Sequence, residues 1–187
     1  AMLEDVTQAL RQARKPDQVV VVSSCPPILS HARKHHWQVI PERDQISESH
    51  SVDHCCQLLA QSGVKTVLRI LGDIPLLQGK DLDQLLSYEL QPPAAILVPS
   101  RDGTGTNALL RTPPDAFPSL FGDNSLALHQ QEAAHRGVDL RILPNPRISF
   151  DLDEFTDLLS FRKLGQDTHT GAALRKFDSL RGLSTIK

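Results

Sequence analysis

Residues 66–99 decide the fold class: Thr66-Val-Leu-Arg-Ile-Leu71, then Gly72-Asp73-Ile74-Pro75-Leu76-Leu77, then Lys80 to Val98. Thr66–Leu71 is short, apolar and partly β-branched, the mark of a buried strand. Lys80–Leu90 spaces its leucines at helical intervals, and Ala94-Ala-Ile-Leu-Val98 is again a buried strand. Two strands without polar alternation, joined by a helix, imply a sheet covered on both faces.

The same cycle continues outward in both directions. Upstream, Met2–Arg14 puts Leu3, Val6 and Leu10 on one helical face, Gln18–Val22 reads as a strand, Pro27–His36 as a helix and Gln38–Ile40 as a short strand. Pro41–Ser49 is polar and loop-like, and Ser51–Gln61 is a helix ended by Gly63. Downstream, Ser125–Arg136 is a helix stopped by Gly137, Leu140–Leu143 a strand, and Glu154–Leu164 a last long helix. The chain turns polar from Gly165, with a short helix expected at Ala172–Phe177. The reading is an α/β fold, a mostly parallel sheet with helices on both faces. It forms a single domain over residues 1–187, with its core in 1–164 and a polar segment in 165–187.

Composition narrows the function. With 187 residues, 40% hydrophobic and 22% charged, the chain is globular and not disordered. A formal net charge of -2 gives no global reason to bind nucleic acid. No apolar run approaches the roughly 18–20 residues of a membrane span. The three cysteines, Cys25, Cys55 and Cys56, provide neither a disulfide framework nor metal spacing, so a cytoplasmic location is expected.

In sheets of this kind ligands bind beyond the carboxyl ends of the strands, and three strand ends carry chemistry. Asp73 follows Thr66–Leu71, where a carboxylate suits Mg²⁺, although Gly-Asp-x-Pro is also ordinary turn chemistry. Pro99-Ser-Arg101-Asp-Gly103-Thr104-Gly105-Thr106-Asn107 follows Ala94–Val98. Its glycines allow a backbone anion nest, and its hydroxyl, amide and guanidinium groups add donors. It is equally a hairpin turn, because Ala108–Leu110 resembles a strand. Ile148-Ser-Phe-Asp151-Leu-Asp153 reads as a third strand end, with alternation placing Asp151 and Asp153 on one face to grip a divalent ion. Asp153 also suits the N-cap of the following helix. Gly122 and Ser125 lie at the start of another helix, a place for a phosphate or carboxylate, where Ser125 also reads as a plain N-cap. His129, one turn on, could face ligand or solvent.

Three carboxylates beside a phosphate nest describe metal-assisted phosphoryl chemistry. A phosphate-ester acceptor, its second pKa near 6, is already ionised at neutral pH and needs no catalytic base. These segments, in this order, resemble the phospholactate guanylyltransferase family of coenzyme F-420 biosynthesis: Gly72–Leu77, Arg101–Leu109, Phe121-Gly122-x-x-Ser125 with His129, and Asp151-Leu-Asp153-x-x-x-Asp157. The resemblance runs from residue 1 to about residue 164. It implies a nucleotidyltransferase (GT-A-like) three-layer sandwich similar to the molybdopterin guanylyltransferases. It also implies transfer of the guanylyl group of GTP to 2-phospho-L-lactate, phosphoenolpyruvate or 3-phospho-D-glycerate, with release of pyrophosphate. Asp73, Asp151 and Asp153 would then be the catalytic Mg²⁺ ligands, and Thr106, Gly122 and Ser125 would bind the acceptor.

Two departures from the family pattern stand out. Ala1-Met-Leu-Glu-Asp-Val6 resembles an interior helix of the family, so a family strand and Lys/Arg phosphate loop that come earlier are not among these residues, and an open sheet edge is expected. Ser51-Val-Asp53-His54 replaces the Asn-initiated helix start used for the base. The alternatives are a nucleotidyltransferase with another base or a sugar-phosphate acceptor, or a non-catalytic binding paralogue. A homodimer is compatible with the open edge.

Overall fold

The computed structural model describes residues 1–43 and 46–180; residues 44–45 of the polar loop and 181–187 of the polar C-terminal segment lie outside them. The described elements, in order, are α1 (Met2–Gln12), β1 (Val20–Ser23), α2 (Pro26–Lys34), β2 (Gln38–Pro41), α3 (Glu48–Gln61), β3 (Val67–Ile70) and α4 (Gly79–Leu86), then β4 (Ala94–Pro99), β5 (Thr106–Thr112), α5 (Ser125–His135), β6 (Asp139–Ile142), α6 (Phe155–Leu164) and α7 (His169–Leu180).

Four strands form one sheet in the order β3-β5-β4-β6, and β1 pairs in parallel with β2 in a separate two-stranded sheet. In the larger sheet β3, β4 and β6 run the same way, and β5 alone runs against its neighbours. The reversal follows from the Gly/Thr segment, which is the tip of the β4–β5 hairpin; β5 then slides between β3 and β4 as the central strand. All seven residues of β5 and the first five of β4 are buried.

Alternation along β4 and β5 sends side chains to two cores. Ile96, Val98, Ala108 and Leu110 meet Val6 and Ala9 of α1 and Leu82 and Leu85 of α4 on one face. Ala95, Leu97 and Leu109 meet Phe117, Ala133 and Val138 on the other, beneath α5. Helices therefore cover both faces, as the sequence implies.

Two local readings are corrected. Ile148–Asp153 is not a strand: a turn is followed by irregular extended chain, because Asn145 caps it, accepting from Arg147 N (3.0 Å) and Ile148 N (3.2 Å). The C-terminal helix is twelve residues, not six. Its N-terminus docks on α1, where buried Asp5 accepts from His169 N (2.6 Å), Thr170 N (2.9 Å) and Thr170 Oγ1 (2.6 Å). An acidic side chain taking the free N–H groups of a helix start is a cap supplied from 164 residues away.

Candidate active site

Asp73 leaves the end of β3 on a short turn. Ile74, fully buried, and Leu77, whose N–H donates to the Ile74 carbonyl (3.1 Å), root that turn in the core. The carboxylate is partly buried, and its Oδ1 is enclosed without a hydrogen-bond partner. Burial raises its pKa, the nearby Asp151 charge adds to this, and Arg69 opposes it.

Asp151 and Asp153 come from the segment that follows β6, and Ile148 at its start packs in the same core as Ile74. Asn107 of β5 donates from Nδ2 to the Ile148 carbonyl (3.0 Å), tying their segment to the sheet. Below it, the Asn145–Arg147 turn is clamped to fully buried Asp81 of α4: Arg147 Nε donates to Oδ2 (2.7 Å), Arg147 Nη2 to Oδ1, and Asn145 Nδ2 to Oδ1 (3.1 Å). Asp81 also accepts from Gln78 N (3.0 Å) as the N3 residue of a capping box. Burial, then Asp153, push the Asp151 carboxyl up; burial, then Asp73, do the same to Asp153. Each of the three carboxylates thus feels another. Among the described residues no three His, Cys, Asp or Glu side chains are grouped closely enough to hold a metal ion by themselves.

Asp153 is not the helix cap. Glu154 is the N-cap of α6, and Asp157 closes a capping box by accepting from Glu154 N (2.9 Å). Those backbone bonds and the Arg101 guanidinium hold Asp157 below the usual carboxylate range. Arg101 pairs with Asp157 and lies 4.8 Å over the Phe150 ring. It braces the acidic segment against the hairpin.

The hairpin tip supplies its own anion. Asp102 accepts from Ser100 Oγ (2.5 Å), Thr104 N (3.1 Å) and Thr104 Oγ1 (2.6 Å), while Gly105 N donates to Ser100 Oγ (2.7 Å). These bonds depress the Asp102 pKa to about 2, those from Ser100 first. The donors expected to face a ligand at Thr104 and Gly105 are thus turned onto Asp102 and Ser100. Gly103, at φ +77°, makes the bend.

Thr106, Gly122 and Ser125 are brought together. Buried Thr106 opens β5, and its Oγ1 lies 3.0 Å from His129 Nδ1. Leu120 N–H donates to His129 Nε2 (2.8 Å), so Nε2 is the acceptor and the ring proton sits on Nδ1. Nδ1–H then donates to Thr106 Oγ1, which leaves the threonine hydroxyl hydrogen free to serve as a donor. Burial first, then Arg111 and Arg69, lower the His129 pKa to about 4, so the ring is neutral at pH 7. Ser125 N donates to the Gly122 carbonyl (3.2 Å), and Leu126 N to Thr104 O (3.0 Å), joining the start of α5 to the hairpin tip. The N-cap of α5 is Asn124 (φ 56°), so Ser125 is the first helical residue and not the cap. Gly122 has φ +116°, a backbone shape that favours glycine.

Three framework residues are missed by sequence reading. Arg69, nine-tenths buried, donates to the carbonyls of Thr106 (3.1 Å) and Asn107 (3.3 Å), pairs with Glu48 and stacks 4.0 Å over Phe121. Arg111, fully buried, donates to Phe117 O and pairs with Asp53 (3.3 Å), which also accepts from Ser119 N (2.9 Å). Asp53 thus braces the 117–119 segment from within α3. Asp81 is the third. Only the Gln78-x-x-Asp81 spacing carried a local signal.

The architecture is that of the nucleotidyltransferases. It matches a cytidylyltransferase of Leptospira borgpetersenii at TM-score 0.60 and 16% identity, over 84% of this chain and 72% of that one. It also matches 4-diphosphocytidyl-2C-methyl-D-erythritol synthase at 0.63 and 15%, over 88% and 90%. The family model described as guanylyl transferase CofC like matches residues 1–180, and the chain belongs to that family. Similar curated relatives include the phosphoenolpyruvate guanylyltransferase of Rubrobacter xylanophilus, 33% identical over 88% of this chain and 79% of that one. The 2-phospho-L-lactate guanylyltransferase of Methanothermobacter thermautotrophicus is 29% identical over 94% and 76%. The 3-phospho-D-glycerate guanylyltransferase of Colwellia psychrerythraea is 32% identical over 58% and 51%.

Proposed function

We propose that this protein is a guanylyltransferase that joins the guanylyl unit of GTP to the phosphate of a three-carbon phosphoacid and releases pyrophosphate, as a step of coenzyme F-420 biosynthesis. Family membership carries the reading, with relatives named for phosphoenolpyruvate, 2-phospho-L-lactate and 3-phospho-D-glycerate. Chemically, an acceptor phosphate oxygen forms a new bond to the α-phosphorus of GTP as the bond to the bridging oxygen of pyrophosphate breaks. No proton need be removed from the acceptor, which suits a site without a poised base.

Asp73, Asp151 and Asp153 would hold Mg²⁺. The unpartnered, enclosed Asp73 Oδ1 fits a cation, and so does a set of mutually repelling carboxylates. An open arrangement fits as well, since Mg²⁺ takes one or two carboxylates together with substrate phosphates. Bound there, it supplies charge neutralisation for the transferring phosphoryl group. Thr106 donates its free hydroxyl hydrogen to the acceptor's anionic group, and Gly122 and Ser125 shape the backbone around it at the start of α5. Arg101, through Asp157, and Asn107, through the Ile148 carbonyl, hold the acidic segment against the β4–β5 hairpin. Gly103, Thr104 and Gly105 keep the hairpin tip rigid beside them.

Among the described residues no helix is long and apolar enough to cross a membrane. Cys25, Cys55 and Cys56 are free thiols, which suits a cytoplasmic enzyme. The test is pyrophosphate release with GTP, Mg²⁺ and each of the three phosphoacids. Release with GTP and one or more of them is expected. Release only with CTP or UTP would exclude the guanylyl assignment.

A further inference from the structure

Strand β3 reads Val-Leu-Arg-Ile, and the one charged side chain in this otherwise apolar run, Arg69, is only 9% exposed. Taking a guanidinium out of water is costly unless its donors are engaged and its charge is paired. Both conditions are met. Nη1 donates to the carbonyls of Thr106 (3.1 Å) and Asn107 (3.3 Å), Nη2 pairs with Glu48 of α3, and Cζ lies 4.0 Å from the centroid of the Phe121 ring. Burial lowers the Arg69 pKa to about 10, so the group stays cationic at pH 7.

Each of these partners serves a different part of the site. Thr106 carries the hydroxyl that His129 aims (3.0 Å). Asn107 ties Ile148, and with it the segment bearing Asp151 and Asp153, to β5 (3.0 Å). Phe121 directly precedes Gly122, and its ring meets the His129 imidazole edge-on at 5.1 Å. The chain at 119–121 is not part of a strand. Its three amide N–H groups go instead to side chains: Ser119 N to Asp53 (2.9 Å), Leu120 N to His129 (2.8 Å) and Phe121 N to Ser49 (2.8 Å). A segment held by side chains takes its place from the elements that carry them, so Gly122 depends on where α3 stands. The Arg69–Glu48 pair links α3 to β3, and the same guanidinium holds the backbone of Thr106 and Asn107.

We infer that Arg69 is a positioning residue for the phosphoacid acceptor: one planar fork, anchored on Glu48, that fixes the Thr106 end of β5 and the Phe121–Gly122 turn at a single separation, so that donors on both sides meet the same molecule. The inference rests on the proposed acceptor role of Thr106, Gly122 and Ser125. Both terminal nitrogens of Arg69 are engaged by protein groups, so it acts through those residues and not on the acceptor itself. A lysine, a point charge without the planar fork, cannot bond two neighbouring carbonyls and a carboxylate while stacking on a ring.

Calorimetric binding of GTP and of each of the three phosphoacids, with Mg²⁺, tests this on the wild type, Arg69→Lys and Glu48→Gln. Arg69→Lys keeps the charge and loses the fork; phosphoacid affinity should fall at least about tenfold while GTP affinity moves by less than about threefold. Glu48→Gln changes a half-exposed side chain and leaves the fold intact. It should weaken the phosphoacid about threefold, and the double variant should fall no further than Arg69→Lys alone, because both changes act through one guanidinium. Unchanged phosphoacid affinity in Arg69→Lys, or an equal loss for GTP, would overturn the inference. So would the same selective loss in Leu59→Ala, a core truncation further along α3. If Arg69→Lys does not fold, unchanged affinity in Glu48→Gln is the refuting result. These outcomes remove the inference alone, whereas a wild type that binds none of the three phosphoacids would overturn the proposed function together with it.

Discussion

His129 fixes the hydroxyl of Thr106. With Nε2 taken by the Leu120 N–H at 2.8 Å, the ring can only donate from Nδ1, and it does so to Thr106 Oγ1 at 3.0 Å. The threonine is left with a hydrogen to give and a fixed direction in which to give it.

Thr106→Val is the isosteric test. A hydrogen bond to a charged partner contributes about 1.5–3 kcal/mol, so the KM for the phosphoacid should rise about 10–100-fold while that for GTP changes little. Initial-rate kinetics with each substrate varied in turn would measure this. The buried Nδ1–H also loses one of its acceptors, keeping the Ser125 carbonyl, so the variant should be less stable by about 1 kcal/mol in urea.

The neutral state of His129 links stability to pH. Its folded pKa is lowered to about 4, so between pH 6.5 and 4 the unfolded chain binds a proton that the folded chain refuses. Its contribution is complete above pH 6.5 and is lost on acidification, reaching about 3 kcal/mol near pH 4. Urea unfolding at pH 7.5, 6 and 5 should show the wild type losing stability and His129→Gln losing less, so the gap between them narrows. Parallel curves would remove His129 as the titrating group. Asp81, with its folded pKa lowered by Arg147 and Asn145, loses its contribution on acidification through that lowered value.

Asp81→Ala should cost about 3 kcal/mol, because a buried carboxylate network is broken and the Arg147–Asn145 turn loses its anchor. Activity should fall beyond the loss of folded protein, since Asp151 rides on that turn. Folded fraction and turnover, measured on one preparation, separate the two effects.

Asp151→Asn should act oppositely on stability and function. Removing one of three repelling carboxylates should leave the metal-free protein as stable or slightly more so, while turnover falls by about two orders of magnitude or more. A variant with near-normal turnover would take Asp151 out of the metal site.

The layers of the fold were legible because buried strands and amphipathic helices are local patterns: Ala94–Val98, Ser125–Arg136 and Glu154–Leu164 each appear within a residue or so of their observed bounds. The direction of β5 was not, since a Gly/Thr tip reads alike as a ligand loop and as a hairpin. The shape of 148–153 was hidden too. Alternating aspartates suggested a strand, but Asn145, Asp81 and Arg147 shape that chain, and Asp81 lies 66 residues from Arg147. The acidic residues were visible as types. The hydrogen bonds that aim Thr106 were not, because they depend on which imidazole nitrogen meets Leu120 N.

The cap that Asp5 places on α7 has a kinetic consequence. Its acceptor oxygens become available to His169 and Thr170 only once α1 is in position, and the loop thereby closed spans nearly the whole described chain. Docking of α7 is therefore a late folding event that reports on completed assembly. On the same grounds α7 is the first segment to come loose and the natural place for a protease to start, and Asp5→Ala would bring that first cut forward.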